Sequence, residues 1–273
     1  MRLGCSTYSF WHFRGETKPL KEYLDKVYSH GFSGVEILMN HFETLEPSYL
    51  AKIKRYAFQL GLDIYAISIH NNFVKPQESE REKEIENVKQ WIEVAYHLGA
   101  KAIRINSGRW GTIESFDELM ANRGLEPPLP GYDYDEAFEW VIDSLKKLVP
   151  FAADRGVVLA LENHWGLTRD AEGVVKIIEG VESEWVRALM DTGNFIENTY
   201  EQLRKILPYT IMVHAKTYYG GGEWYTLDLD YDKIFTMLRE AQFKGWISLE
   251  YEGKEDYDSG VKKSFKLLSK YVR

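Results

Sequence analysis

The sequence predicts a (β/α)8 TIM barrel, α/β in class and folded as one domain over residues 1–273. Three observations predict it. Amphipathic helical stretches alternate with short apolar strands along the whole chain, the pattern of a parallel sheet covered by helices. The length of 273 residues suits one barrel of eight such units, which needs about 250 residues. An open doubly wound sheet would place a glycine-rich phosphate loop after its first strand, and "CSTYSFWHFRG" lacks that spacing.

In chain order, the first strand is expected near "RLGCST". Leu20, Tyr23, Leu24, Val27 and Tyr28 then recur at helical spacing, Gly31 stops that helix, and "SGVEIL" is the second strand. "AKIKRYAFQLG" leads into "LDIYAISIH", "VKQWIEVAYHLG" into "AKAIRIN", and "VIDSLKKLVPFAADRG" into "VVLALEN". Gly61, Gly99 and Gly156 each follow the last apolar position of a helix, where glycine adopts the left-handed conformation without steric cost. "VRALMD", "TIMVHAK" and "GWISLEYE" are strands six to eight, and "SGVKKSFKLLSKYV" is the closing helix. Two connections are long: residues 107–132, with "EPPLPG", and residues 217–229, "TYYGGGEWYTLDL". Both follow strands, on the side where barrel loops build sites, so both are read as covers over a pocket. "GGG" at 220–222 precedes no helix start and is read as a flexible loop.

Charge and cysteine content narrow the class of partner. With 42 acidic against 34 basic residues and a net charge of -8, the chain lacks the basic footprint of a nucleic-acid binder, and no nucleic-acid partner is expected. The single Cys5 permits neither an internal disulfide nor a Cys-x-x-Cys site, which suits a reducing compartment. "MRLGCSTYSFWHF" has no apolar signal-peptide core, and no apolar run approaches the roughly 20 residues of a membrane span. A cytoplasmic protein with no membrane partner is the expectation.

Alternation along the strands separates two faces. Ile67 and Ile69, Ile103 and Ile105, Leu159 and Leu161, and Ile247 and Leu249 suit the surrounding helices. The opposite face carries Ser68 and His70, Arg104 and Asn106, Glu162, Asp191, His214 and Lys216, and Ser248 and Glu250, concentrated at the C-terminal strand ends. Glu162, Asp191, His214 and Glu250 end four consecutive strands. Singly, each suits a cap, an ion pair or a satisfied core histidine. Together at one barrel mouth, three carboxylates repel and are costly to desolvate, and one divalent cation answers both problems. Oxygen and nitrogen donors of this kind suit Mn, Mg, Co or Zn.

"LALENHWG", "LMDTGNF", "MVHAK" and "ISLEYEG", with the opening "RLGCSTYSF" and "GVEI", resemble in order and spacing the sugar isomerase and epimerase superfamily with the xylose isomerase-like TIM barrel, which also contains the abasic-site endonucleases. The resemblance implies that Glu162, Asp191, His214 and Glu250 bind one divalent metal ion and that Glu162 and Glu250 are also the acid/base pair. It implies a small carbohydrate substrate with its carbonyl and neighbouring hydroxyl oxygens on the metal, from which one glutamate removes a proton to give an enediolate. Return of the proton to the same carbon from the other face makes an epimer, and to the neighbouring carbon an isomer. Lys216 would stabilise the oxyanion, and His70, Arg104 and Asn106 would line the pocket. Asn163 and His164, past the end of their strand, would support the site or touch substrate.

Two positions depart from the ketose epimerases of that superfamily: Asn194 stands in place of a histidine, where it is expected at the substrate, and Gly220 in place of an arginine. Both weigh against ketose 3-epimerisation and leave the metal site intact. The endonucleases need further histidines, and positions 106–108 are "NSG", so DNA repair is not expected. The leading expectation is an isomerase or epimerase of a sugar, sugar acid or cyclitol-like compound without a phosphate. A dehydratase or lyase on the same metal site, in which the enolate expels a β-hydroxyl, is the alternative. A silent sugar-binding barrel would not call for both glutamates.

Phe10, Trp11, Phe13, Trp110, Trp165, Tyr218 and Trp224 all follow strands on the loop side, where aromatic walls fit the apolar faces of sugars, and Trp11 is expected at the substrate. Aromatics that do not line a pocket would pack loops or an interface between copies of the chain, which leaves a homo-oligomer among the expectations.

Overall fold

The computed structural model describes residues 1–272. Among them, eight parallel strands close into a barrel in chain order: β1 (Arg2–Ser6), β2 (Gly34–Leu38), β3 (Asp63–Ser68), β4 (Ala102–Ile105), β5 (Val158–Glu162), β6 (Val186–Asp191), β7 (Thr210–Thr217) and β8 (Trp246–Tyr251). β1 pairs with β8, Cys5 opposite Leu249, so no edge is left open. The connections carry α1 (Leu20–Ser29), α2 (Pro47–Leu60), α3 (Glu78–Leu98), α4 (Phe116–Ala121), α5 (Tyr134–Arg155), α6 (Ala171–Val181), α7 (Thr199–Ile206) and α8 (Tyr231–Glu240), and α9 (Tyr257–Leu268) follows β8. This is the (β/α)8 barrel that the alternating pattern predicts. Gly61, Gly99 and Gly156 cap α2, α3 and α5 in the left-handed conformation. α1 differs: His30 caps it in the right-handed region, and Gly31, at φ 90°, turns the chain one residue later.

Ile67, Ile69, Ile103, Ile105, Leu159, Leu161, Ile247 and Leu249 face outward into one large apolar cluster shared with the helices. Each such aliphatic contributes roughly 1.5–3 kcal/mol on burial, so this outer layer holds the barrel whatever occupies its mouth. Inside, Tyr65, Ala66, Ala102, Ala160, Leu189 and Met212 form a smaller cluster that plugs the end where the strands begin. Strict alternation fails there. Pairing between β2 and β3 slips by a residue between Val35 and Glu36, so Tyr65 and Ala66 both join the interior. The Tyr65 ring stacks on Trp246 with centroids 4.3 Å apart, in space that Gly4 leaves open: a Cβ on Gly4 would lie 2.3 Å from Tyr65 Cε1. No helix among the described residues is long and apolar enough to cross a membrane.

The two long connections cover the other end of the barrel. In residues 107–132 the buried Glu126 carboxylate accepts from Gly111 N at 2.8 Å and Ile113 N at 3.2 Å and pairs with Arg109 Nη1 at 2.7 Å, which ties down a loop with little regular structure. In residues 217–229 the glycines are held rather than loose. Gly222 bridges to Gly253 and donates to Thr226 Oγ1 at 2.7 Å. The two loops meet where Phe116 and Trp224 pack edge to face, centroids 4.5 Å apart.

Candidate active site and metal centre

Parallel strands with a common inward alternation bring four side chains to one point: Glu162 and Asp191, the last residues of β5 and β6, Glu250, one residue before the end of β8, and His214, which lies three residues inside β7 rather than at its end as the sequence suggested. All four are buried, and each offers a donor atom within 4.8 Å of the others. His214 Nδ1 lies 3.0 Å from Glu162 Oε1, 3.6 Å from Glu250 Oε2 and 3.7 Å from Asp191 Oδ2. Asp191 Oδ1 accepts from Gly193 N at 2.7 Å, but Oδ2 is buried with no hydrogen-bond partner. An unpaired buried acceptor costs about 1–3 kcal/mol, and a divalent cation among these donors would satisfy it. Three carboxylates and one imidazole fit Mn, Mg, Co or Zn.

The electrostatics show the same demand. Burial pushes the Asp191 carboxyl up to about 7. Burial also opposes ionisation of Glu162 and Glu250. Even so, Arg104, with His214, holds Glu162 well below the usual carboxylate range, and Lys216 with His214 holds Glu250 at about 2. Burial likewise opposes charge on His214, yet Glu36 and Glu250 hold its pKa well above the ordinary histidine value. A protonated imidazole therefore stands where the carboxylates call for a cation.

Each glutamate of the pair has its own basic partner. Arg104 Nε lies 3.4 Å from Glu162 Oε2, while its Nη1 donates to Ile69 O at 2.8 Å and Asn106 Oδ1 at 2.9 Å. Lys216 Nζ reaches Glu250 Oε2 and Glu252 Oε1, both at 2.8 Å, and Tyr8 Oη donates to Glu252 Oε1 at 3.2 Å. Asn163 is buried beneath, where its side chain bonds the backbone of Asp191 in both directions: Nδ2 to Asp191 O at 2.9 Å and Oδ1 from Asp191 N at 2.6 Å.

A cavity of about 610 Å3 opens above the cluster. Glu162 and Glu250 reach it, and His70, Arg104, Asn106, His164, Asn194 and Lys216 line it. Loss of water drives the half-buried His164 down to about 4, so it faces the cavity as a neutral imidazole. Trp11, expected at the substrate, does not line the cavity. His12 and Phe13 both take left-handed φ values, 53° and 58°, which turn Phe13 into the cavity. The Trp11 ring packs on Phe13 and His41, and its Nε1 donates to Gly15 O at 3.1 Å. Phe10 and Trp110 are buried in the outer core, whereas Phe13, Phe116, Trp165 and Trp224 wall the cavity.

Three polar residues escaped the sequence reading. Glu36 is buried in the middle of β2 against His214, and Tyr8 and Glu252 line the cavity beside Lys216. A signal for two of them exists: a glutamate flanked by apolar residues in "GVEIL", and the i+2 spacing of Glu252 from Glu250.

Known proteins resemble the chain along most of its length. An inosose dehydratase of Clostridium botulinum is 24% identical over 272 residues, 87% of this chain and 84% of that protein. An inosose dehydratase of Geobacillus kaustophilus is 22% identical over 240 residues, 76% of this chain and 71% of that protein. Among solved structures, a D-psicose 3-epimerase in the presence of D-fructose matches with a TM-score of 0.79 at 17% identity, covering 100% of this chain and 99% of that one. The apo 3-keto-D-glucoside 4-epimerase of E. coli matches with a TM-score of 0.78 at 20% identity, covering 99% of each chain. These structural likenesses establish the fold. The family model described as xylose isomerase-like TIM barrel matches residues 24–271, a span that includes all four strands of the acidic cluster, and the chain belongs to that family.

Proposed function

We propose that the protein is a metal-dependent enzyme that moves a proton on the carbon beside a carbonyl, isomerising or epimerising a sugar, sugar acid or cyclitol-like substrate. The observation that carries this is the buried convergence of Glu162, Asp191, His214 and Glu250 under the cavity, with Asp191 Oδ2 unsatisfied. A divalent cation held by these four residues supplies a Lewis acid beside the substrate oxygens. Glu162 and Glu250 take and return the proton. They stand on β5 and β8, three places apart around the ring, and so address the bound carbon from two sides. Arg104 aims Glu162 and Lys216 aims Glu250. Asn106, His164 and Asn194 offer hydrogen bonds to hydroxyls, and the aromatic walls exclude water and cover the C–H face of a ring.

A second reading, a dehydratase, draws support from Lys216, Glu252 and Tyr8. This group supplies a proton donor beside Glu250 for a departing β-hydroxyl, and the inosose dehydratases among the relatives favour the same chemistry. Here the carbon-bound proton passes to a glutamate, the C–O bond breaks, and the hydroxyl leaves as water with a proton from Lys216 Nζ. A screen of sugars, keto-glycosides and cyclitols in deuterated water tests both. Deuterium uptake without water loss supports the isomerase or epimerase, and uptake with water loss supports the dehydratase. Protein that binds Mn yet exchanges no proton on any of them would sink both.

A further inference from the structure

We infer that Glu36, on a strand outside the metal cluster, is the residue that positions His214, holding a hydrogen on Nε2 so that Nδ1 is the nitrogen presented to the metal. The inference rests on the metal-site reading above. Glu36 is fully buried on β2, across the barrel interior from β7. Its carboxylate lies 2.8 and 3.0 Å from His214 Nε2 and accepts from Ser68 Oγ and, at 2.6 Å, from Ser248 Oγ. Ser248 Oγ in turn accepts from Tyr65 Oη at 2.6 Å. A hydroxyl has one hydrogen, so Ser248, already receiving that of Tyr65, gives its own to Glu36.

The chain of donors runs in one direction, and it leaves the carboxylate only acceptor capacity for its remaining neighbour. His214 Nε2 must therefore carry a hydrogen, whichever charge the ring has. Its other nitrogen faces all three carboxylates of the cluster, at 3.0, 3.6 and 3.7 Å. Among the described residues, His214 is the only basic side chain that Glu36 pairs with, so the buried carboxylate depends on it for a counter-charge. The arrangement is rigid. Ser68 and Ser248 clamp Glu36 from β3 and β8, and the Tyr65 ring at the head of the chain is wedged between Trp246 and the bare backbone of Gly4. Carboxylates that accept the second N–H of a metal-binding histidine fix its orientation and strengthen it as a ligand.

Two measurements test this on the full chain. In Zn-loaded protein with isotope-labelled histidine, a two-bond proton–nitrogen correlation spectrum should show His214 protonated at Nε2 and metal-bound at Nδ1. The reverse assignment overturns the inference. Glu36→Gln, which keeps the shape but removes the charge, should weaken Mn binding measured by calorimetry by roughly 10–100-fold. Ser248→Ala leaves the carboxylate in place with one clamp missing and should weaken Mn binding several-fold, which guards against misfolding of the first variant. Folded Glu36→Gln and Ser248→Ala proteins that bind Mn as tightly as the unaltered chain would refute the role of Glu36. An unaltered chain that binds no divalent ion would instead remove the metal site itself, a separate and recognisable failure.

Discussion

Asp191 shows how a residue can be poor for folding and good for chemistry. Its Oδ2 is buried without a hydrogen-bond partner, 3.7 Å from both His214 Nδ1 and Lys216 Nζ, and burial raises its pKa to about 7. Asp191→Asn should therefore abolish tight Mn binding measured by calorimetry while the protein stays folded, because its Oδ1 contact to Gly193 N can be kept by the amide oxygen. A folded Asp191→Asn protein that binds Mn as tightly as the unaltered chain would remove Asp191 from the ligand set. Glu162→Gln and Glu250→Gln should each cut solvent deuterium exchange into the substrate by at least about 100-fold, and exchange that survives in both variants removes the acid/base assignment. The candidate ligands were legible in the sequence because three carboxylates end or nearly end apolar strands, where a lone charge needs an explanation, and His214 shares their inward alternation on the strand between. Glu36 obeys the same alternation but sits mid-strand, and its partner lies five strands on in a direction that only closure of the barrel supplies. Phe13 rather than Trp11 lines the cavity because of two left-handed backbone angles that the residue types do not announce.

At the level of elements, the turn after β2 holds a pH-sensitive contact outside the cluster. His41 Nδ1 meets Thr7 Oγ1 at 2.8 Å, its ring stacks on Tyr23 of α1 at 3.9 Å, and its Nε2 has no partner. Burial pushes its pKa down to about 3. The folded state therefore refuses a proton that the unfolded chain accepts once the pH drops below about 6.5. Stability should be insensitive to this residue above that pH and fall as the solution is acidified towards pH 3, by up to about 1.4 kcal/mol per pH unit. His41→Gln should flatten that slope in denaturant titrations between about pH 6 and pH 4. The long loops carry the other prediction at this scale. Trp224 is 43% exposed at the rim, where Phe116 braces it from the opposite loop. Trp224→Ala should raise KM for the accepted substrate by roughly 5–10-fold with a smaller change in kcat, because one aromatic contact contributes about 1 kcal/mol beyond its area. Strands and helices were readable from glycine stops and alternation. The slip between β2 and β3 was not, since it depends on fitting Tyr65 against Gly4 across the barrel.

For the whole molecule, two apolar layers divide the labour. The outer cluster and the interior plug make no use of the metal ligands, so chelation should leave the far-ultraviolet circular dichroism spectrum unchanged. Added Mn should nonetheless raise the melting temperature with concentration, since a ligand of the native state alone adds about 2.7 kcal/mol at 100 times its Kd. A melting temperature that ignores Mn would argue that the cluster holds none.

The plug of Tyr65 and its neighbours has one more consequence, for traffic. With that end filled by packed side chains, the cavity, as formed by the described residues, opens on the side of the two long loops, where Phe116 and Trp224 line it. Arrival and departure then share the loop side, so a spent molecule has to back out before a fresh one can enter, and product should inhibit in competition with substrate.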